Sequence, residues 1–183
     1  QRILDLGVEL RTGVVVGRDV TLEPLRQEYQ AIFVGIGAHR GLRLGVPGED
    51  APNVWTGTEF LNKVNSGEPV EVGRRVLVIG GGDTAIDAAR VSRRLGADVT
   101  ILYRRTRTEM PAIEPEIEGA LEEGVKIEFL TAPVEVLCQN GRAVGLRCIR
   151  MELGEPDESG RRRPVPKPGT EFDVYADTII AAI

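Results

Sequence analysis

The chain has 183 residues, 28 acidic against 23 basic, and a formal net charge of −5. That length suffices for one packed domain, or for one domain and a piece of another, and the acidic balance argues against a surface that neutralises a nucleic-acid backbone. No apolar run approaches the roughly 20 residues of a membrane span and no basic-then-apolar leader opens the chain, so a cytoplasmic protein with no membrane segment is expected.

Residues up to 37 read as a short helix ended by Gly7, a strand around Val8 to Val16, a helical turn near Leu22 to Arg26 and a second strand, Ala31-Ile-Phe-Val-Gly35. This is a partial α/β unit without a glycine-rich turn at its start. The glycine- and proline-rich loop from Gly41 to Pro52 then marks a domain boundary. Thr56-Gly-Thr-Glu59 fits a capping box, in which a hydroxyl and a carboxylate satisfy the free amides of a helix start, and the helix is predicted to run to Ser66.

From Arg75 onward strand and helix alternate. The pattern predicts strand Val76 to Ile79, helix Thr84 to Leu95 stopped by Gly96, strand Val99 to Tyr103, helix Ile113 to Glu123 stopped by Gly124, and strand Val125 to Leu130. Such alternation with short connections implies a parallel sheet with helices on its faces. In the first of these helices Ala85, Ala88, Ala89, Ser92 and Leu95 share one side, which leaves Arg90, Arg93 and Arg94 towards solvent.

After Leu130 the apolar period falls to two. Asn140-Gly141 is a two-residue hairpin turn that places Cys138 opposite Ala143. The polar stretch Gly154 to Thr170 interrupts this pattern, and Phe172 to Ile183 returns to the sheet. The expected fold is therefore α/β, a Rossmann-like parallel sheet with an antiparallel hairpin or meander. The chain opens on Gln1 without a methionine and stops at Ile183 directly after a strand-like run, which reads as a piece of a longer protein.

Cys138 and Cys148 are spaced neither as a CxxC redox pair nor as a zinc site, so no disulfide or metal is expected. His39, the sole histidine, has no nucleophile or metal-ligand partner near it in sequence and reads as a loop residue. No side chain is assigned to catalysis.

The stretch that carries chemistry is Val76-Leu-Val-Ile-Gly-Gly-Gly-Asp-Thr-Ala85. A mononucleotide-binding unit needs a strand, a turn without side chains, and a helix whose exposed amides point at a pyrophosphate. Gly80-x-Gly82-x-x-Ala85 supplies the pattern: Gly80 makes the turn, Gly82 lets the backbone approach phosphate, and Ala85 permits close helix-strand contact. A purely structural turn is the competing explanation. Asp83 and Asp87 favour the positive end of the helix dipole, and Asp83 is kept as a binding residue because it sits at the turn.

Which dinucleotide is bound is decided at the end of the next strand. NAD and FAD sites carry a carboxylate there for the ribose, whereas this chain has Tyr103-Arg104-Arg105. Guanidinium groups pair with a 2′-phosphate through charge-assisted hydrogen bonds. Two such bonds at ~1.5 kcal/mol each would favour NADPH over NADH by about a hundredfold. A solvated loop pair is the alternative, Arg107 is a weaker candidate for the same role, and Arg161, Arg162 and Arg163 read as a solvated hairpin tip.

Taken together, Gly80-Gly-Gly-Asp-Thr-Ala-Ile-Asp-Ala-Ala89, Tyr103-Arg-Arg105, Met110-Pro-Ala112 and Gly154-Glu-Pro-Asp157 resemble the small subunit of glutamate synthase. That family is an NADPH-dependent, FAD-containing pyridine nucleotide-disulfide oxidoreductase-like group, and the chain is also similar to the flavoprotein portion of dihydropyrimidine dehydrogenase. The resemblance covers nearly the whole chain. It implies that residues 1–40 are the end of the first half of an FAD domain, with Val34-Gly-Ile-Gly-Ala38 as its crossing strand, and that residues 41–183 are an NADPH-binding domain. It further implies that Gly81, Gly82, Asp83 and Thr84 cradle the pyrophosphate, Arg104 and Arg105 the 2′-phosphate, and that Ala182 and Ile183 lie near the nicotinamide. The chain departs from the family in lacking a flavin-type glycine turn and cluster cysteines.

The expected function is that of the NADPH-binding portion of a flavin-dependent oxidoreductase. In the intact protein hydride passes from NADPH to FAD, and electrons pass on to an iron-sulfur domain or a glutamate synthase-type large subunit. This segment alone is expected to bind NADPH without turnover, with self-association left open. One rival is a non-catalytic nucleotide-binding or assembly module. Another is a methyltransferase, whose S-adenosylmethionine site would want an acidic residue where Arg104 stands.

Overall fold

The computed structural model describes residues 3–37 and 40–183, in two compact units divided after Gly37. In the first unit a single 3-10 turn, Leu4–Leu6, is closed by Gly7 in the left-handed conformation, and helix α1 spans Leu22–Glu28. The strands expected over Val8 to Val16 and Ala31 to Gly35 do not form. Among the described residues the only pairing near them is an isolated bridge between Val16 and Val20. A strand exists only with a neighbour to take its amides and carbonyls, and none is present among these residues. None of residues 3–37 is buried, and Phe33 is 96% exposed. The Ala38 end of the expected crossing strand and His39 lie outside the described residues.

The second unit contains β1 (Val54–Thr56), α2 (Gly57–Asn65), β2 (Arg75–Ile79), α3 (Asp83–Arg94), β3 (Asp98–Tyr103), α4 (Glu114–Glu122), β4 (Lys126–Phe129), β5 (Thr131–Gln139), β6 (Arg142–Pro156), β7 (Arg162–Pro166), β8 (Phe172–Tyr175) and β9 (Thr178–Ala181). Five strands make a parallel sheet in the order β1-β9-β2-β3-β4. An antiparallel sheet is built on β6, which pairs with β5, β7 and β8.

The layering follows from which side chains each strand sends to each face. Val76 and Val78 of β2, Val99 and Ile101 of β3 and Ile180 of β9 pack with the buried side of the helices, against Phe60, Ala85, Ile86, Ala89 and Ile117. Leu77, Ile79, Leu102 and Ile179 face the other way and pack against Val136, Leu146 and Cys148 of the antiparallel sheet. A parallel sheet covered on both faces has to be apolar in every register, which is why β2 reads as a continuous aliphatic run. Each fully buried aliphatic or aromatic side chain contributes roughly 1.5–3 kcal/mol.

The helix ends obey local chemistry. Thr56 Oγ1 accepts from the Glu59 amide at 3.3 Å at the start of α2. Pro115 and the carboxylates of Glu114 and Glu116 occupy the first turn of α4. The arginines of α3 depart from expectation. Arg90 donates to Glu123 and Glu116, and Arg93 donates to the carbonyls of Glu123 and Ala97, so both clamp α3 to its neighbours while Leu95 is left exposed. A helix packed beside another places its flanking cations within reach of the second helix's carboxylates, which one helix's periodicity does not reveal.

Asn140 and Gly141 both have positive φ, and Cys138 stands opposite Ala143, as the turn residues require. The stretch expected to interrupt the sheet instead extends it. β6 continues to Pro156, residues 157–161 turn, and β7 returns along β6, carrying Pro164 and Pro166 on a strand whose sole ladder partner is β6.

Candidate functional site

At the C-terminal end of β2 the chain turns through Gly80, Gly81 and Gly82 into α3. Gly80 has φ +146°, and a β-carbon there would sit 2.0 Å from the Ala182 carbonyl oxygen, so strand β9 closes directly on the turn. At Gly81 a β-carbon would meet the Tyr103 ring at 2.5 Å, and the Gly81 carbonyl accepts from the Ala112 amide at 3.1 Å. Gly82 differs, because a β-carbon there would touch only Pro111, at 3.9 Å. Ala85 is fully buried and lies 3.2 Å from where a Gly80 side chain would begin.

The amides of Ala85 and Ile86 both reach back to the Gly82 carbonyl. Those of Gly81, Gly82, Asp83 and Thr84 have no acceptor among the described residues. Successive free amides at the start of a three-turn helix, beside a position with room for a phosphate oxygen, form a cradle for an anion. A pyrophosphate fits that cradle.

The turn opens on a cavity of about 630 Å³, within the usual range for small-molecule sites. It crosses the C-terminal ends of the parallel strands, bounded by Gly57 and Thr58 at the start of α2, by Gly80, Gly81, Gly82 and Thr84, by Tyr103 at the end of β3 and Arg104 after it, by Thr131 to Pro133 of the antiparallel sheet, and by Ala181 to Ile183. This is the switch point of the sheet: from β2 the chain crosses to β3 on one side, while β9 and β1 lie on the other. Open α/β sheets leave their crevice at that place.

The cations divide by what already holds them. Arg104 lines the cavity, is exposed and has no hydrogen-bonded partner among the described residues. Arg105 is 4% exposed, and its Nη2 donates to Asp157 Oδ2 at 2.6 Å while its Nε donates to the Arg162 carbonyl at 2.7 Å. Arg107 is bound to Glu114 and Glu118 of α4 and is not part of the cavity wall. The hydrogen bond from Ser159, and the nearby Arg105 charge, hold Asp157 below the usual aspartate range.

Of the residues that the sequence points to, Gly80, Gly81, Gly82, Thr84, Arg104, Arg105, Ala182 and Ile183 all border this one cavity. Asp83 and Ala85 do not. The Asp83 carboxylate accepts from the Ile113 amide at 3.1 Å and so ties the Met110-to-Ile113 segment to the turn. Ala85 is spent on packing. The structure adds Arg40, Thr58, Tyr103, Pro111 and Arg161 to the wall. Tyr103 was legible as the last strand residue before the arginines, and its hydroxyl donates to the Glu109 carbonyl at 2.7 Å. Arg161 reads from the sequence as part of a solvated hairpin tip, and nothing local says that this tip lies on the cavity wall.

A family model described as pyridine nucleotide-disulphide oxidoreductase matches residues 5–183. The beta subunit of an NADPH-Fe(3+) oxidoreductase from Geobacter sulfurreducens is 48% identical, over 99% of this chain and 28% of that protein. The glutamate synthase [NADPH] small chain of Halomonas elongata is 42% identical, over 97% of this chain and 40% of that protein. The chain thus spans about a quarter to two fifths of the length of these curated relatives. Among solved structures, Lactococcus lactis thioredoxin reductase superposes with a TM-score of 0.58 at 19% identity, covering 79% of this chain and 41% of that one, a likeness of fold. With the family model spanning nearly every residue and the glycine turn standing at the switch point of the sheet, the chain belongs to the pyridine nucleotide-disulphide oxidoreductase family.

Proposed function

We propose that residues 41–183 form the NADPH-binding domain of a flavin-dependent oxidoreductase and that residues 1–40 are part of its FAD domain. The observation that carries this reading is the cradle itself: among the described residues the amides of Gly81, Gly82, Asp83 and Thr84 have no acceptor, and Arg104, on the wall of the cavity they open on, has no partner. Gly81, Gly82 and the start of α3 hold the pyrophosphate through their amides. Arg104 pairs with the 2′-phosphate. Ala182 and Ile183, beyond the end of β9, border the cavity beside the turn and flank the nicotinamide.

Bound together in the intact protein, NADPH supplies a hydride and FAD accepts it. Residues 3–37 contain no strand that runs through a glycine-rich turn into a helix, so this reading takes the flavin site to draw on polypeptide other than these residues. Both named relatives are by name a subunit or a chain of an enzyme, which supports passage of electrons to a partner subunit; an iron-sulfur centre as the next carrier is part of the same proposal.

Titration of the protein with NADPH, NADH and S-adenosylmethionine tests the reading. Saturable binding of NADPH at least about tenfold tighter than NADH, lost in Arg104→Ala, is expected from a charge-assisted contact. Equal affinity for NADPH and NADH, or binding of S-adenosylmethionine in their place, would refute it.

A further inference from the structure

Arg105 is spoken for, yet both of its hydrogen bonds run to one place, the turn that joins β6 to β7. Its Nη2 reaches Asp157 Oδ2 and its Nε reaches the Arg162 carbonyl. Asp157 in turn organises the tip: its Oδ1 accepts from the Ser159 amide and hydroxyl, its amide donates to the Arg161 carbonyl at 2.8 Å, and its carbonyl accepts from Gly160 at 2.9 Å. The three tip arginines then part company. Arg162 donates to the carbonyls of Leu153 and Gly154, and Arg163 is exposed and lies outside the cavity wall. Arg161 lines the cavity with Arg104, bonded through Nε to Ser159 Oγ at 3.0 Å and paired with no carboxylate among the described residues.

A buried arginine at the end of β3 that grips a distant turn costs desolvation, which a two-point, charge-assisted hold offsets. Its geometric effect is to fix the arm so that one guanidinium of the tip faces the mouth where Arg104 stands. We propose that Arg161 is a second specificity-determining residue for the 2′-phosphate of NADPH and that Arg105 is the positioning residue that holds it there through Asp157. The proposal rests on reading the cavity as an NADPH site. It reassigns the paired arginines after β3: Arg104 meets the phosphate directly, and Arg105 acts through the arm.

The test measures equilibrium binding of NADPH and NADH to the whole protein by fluorescence titration, for wild type, Arg161→Ala, Asp157→Ala and the double variant. Arg161→Ala is expected to weaken NADPH about tenfold, the value of one lost charge-assisted hydrogen bond, with NADH unchanged. Asp157→Ala should give a loss of the same kind, and the double variant should be no worse than Arg161→Ala alone, because both changes remove one contact. Losses that fall equally on both nucleotides, no loss in Arg161→Ala, or losses that multiply in the double variant overturn the proposal. The outcomes separate the two readings. A wild type that prefers NADPH, with that preference intact in Arg161→Ala, overturns this proposal alone, whereas a wild type without preference overturns the NADPH reading and this proposal with it.

Discussion

The carbonyl oxygen of Ala182 occupies the space that a side chain on Gly80 would need, 2.0 Å from the position of its β-carbon. Just past the paired ends of β2 and β9, the two chains therefore close on each other where only a glycine fits. Gly80→Ala is expected to destabilise the fold by about 3 kcal/mol, from a backbone clash added to a strained φ. Gly82→Ala, whose new methyl would meet only Pro111 at 3.9 Å, should change stability by less than about 0.5 kcal/mol and yet abolish tight NADPH binding. Thermal melts paired with NADPH titrations of both variants check this. Two glycines two positions apart would then separate folding from binding.

A buried asparagine joins the two sheets. Asn53 Nδ2 donates to the carbonyls of Ala143 and Asp177, each at 2.8 Å, and its Oδ1 accepts from the Ala143 amide at 2.9 Å. Asn53→Ala strands three backbone groups and should cost about 3 kcal/mol, or more if water cannot enter. A urea titration of the variant, at unchanged m-value, reads the loss directly.

Glu123 receives hydrogen bonds from Arg94 and Arg90, in that order of effect, and its carboxyl lies below the usual glutamate range. A carboxyl whose folded value is depressed stabilises the native state fully above its unfolded value, and that contribution is lost as pH falls through the folded one. Wild type should therefore exceed Glu123→Gln in stability at neutral pH, and the gap should close as pH drops below the ordinary glutamate range. Urea titrations of both proteins across acid pH decide it. A gap that does not narrow would mean the side chain acts through packing alone.

The two thiols differ sharply. Cys148 is fully buried between β5 and β8, and burial pushes its thiol up to about 12, whereas Cys138 is exposed near the hairpin end. An alkylating reagent at mildly alkaline pH should modify Cys138 in the native protein and leave Cys148 intact until denaturant is added. Mass spectrometry of the native and unfolded chains counts the labels.

How far these features were legible depended on the range of the forces that set them. The glycine turn, the helix after it and the Asn140-Gly141 hairpin follow from local rules, so their residues announce them. The fates of Arg105 and Arg90 do not, because their partners Asp157 and Glu123 lie 52 and 33 residues away along the chain and are brought close by packing. Tyr103-Arg-Arg105 reads as one anion-binding pair, but in the bend after β3 Arg104 stays exposed on the cavity wall while Arg105 is buried and held by the turn between β6 and β7. The strands expected before residue 37 failed for the complementary reason. Their apolar composition favours extended backbone, but a ladder needs a neighbour that these residues do not contain.

The returning strand of the arm has one further consequence. The Lys167 amide bonds inward to the Arg150 carbonyl at 2.8 Å, so by alternation the backbone nitrogens of Pro164 and Pro166 point away from β6. Neither nitrogen carries a hydrogen. A foreign strand approaching that flank would find acceptors without donors at those two positions, so the arm can reach out towards a ligand without offering itself as a template for fibril growth.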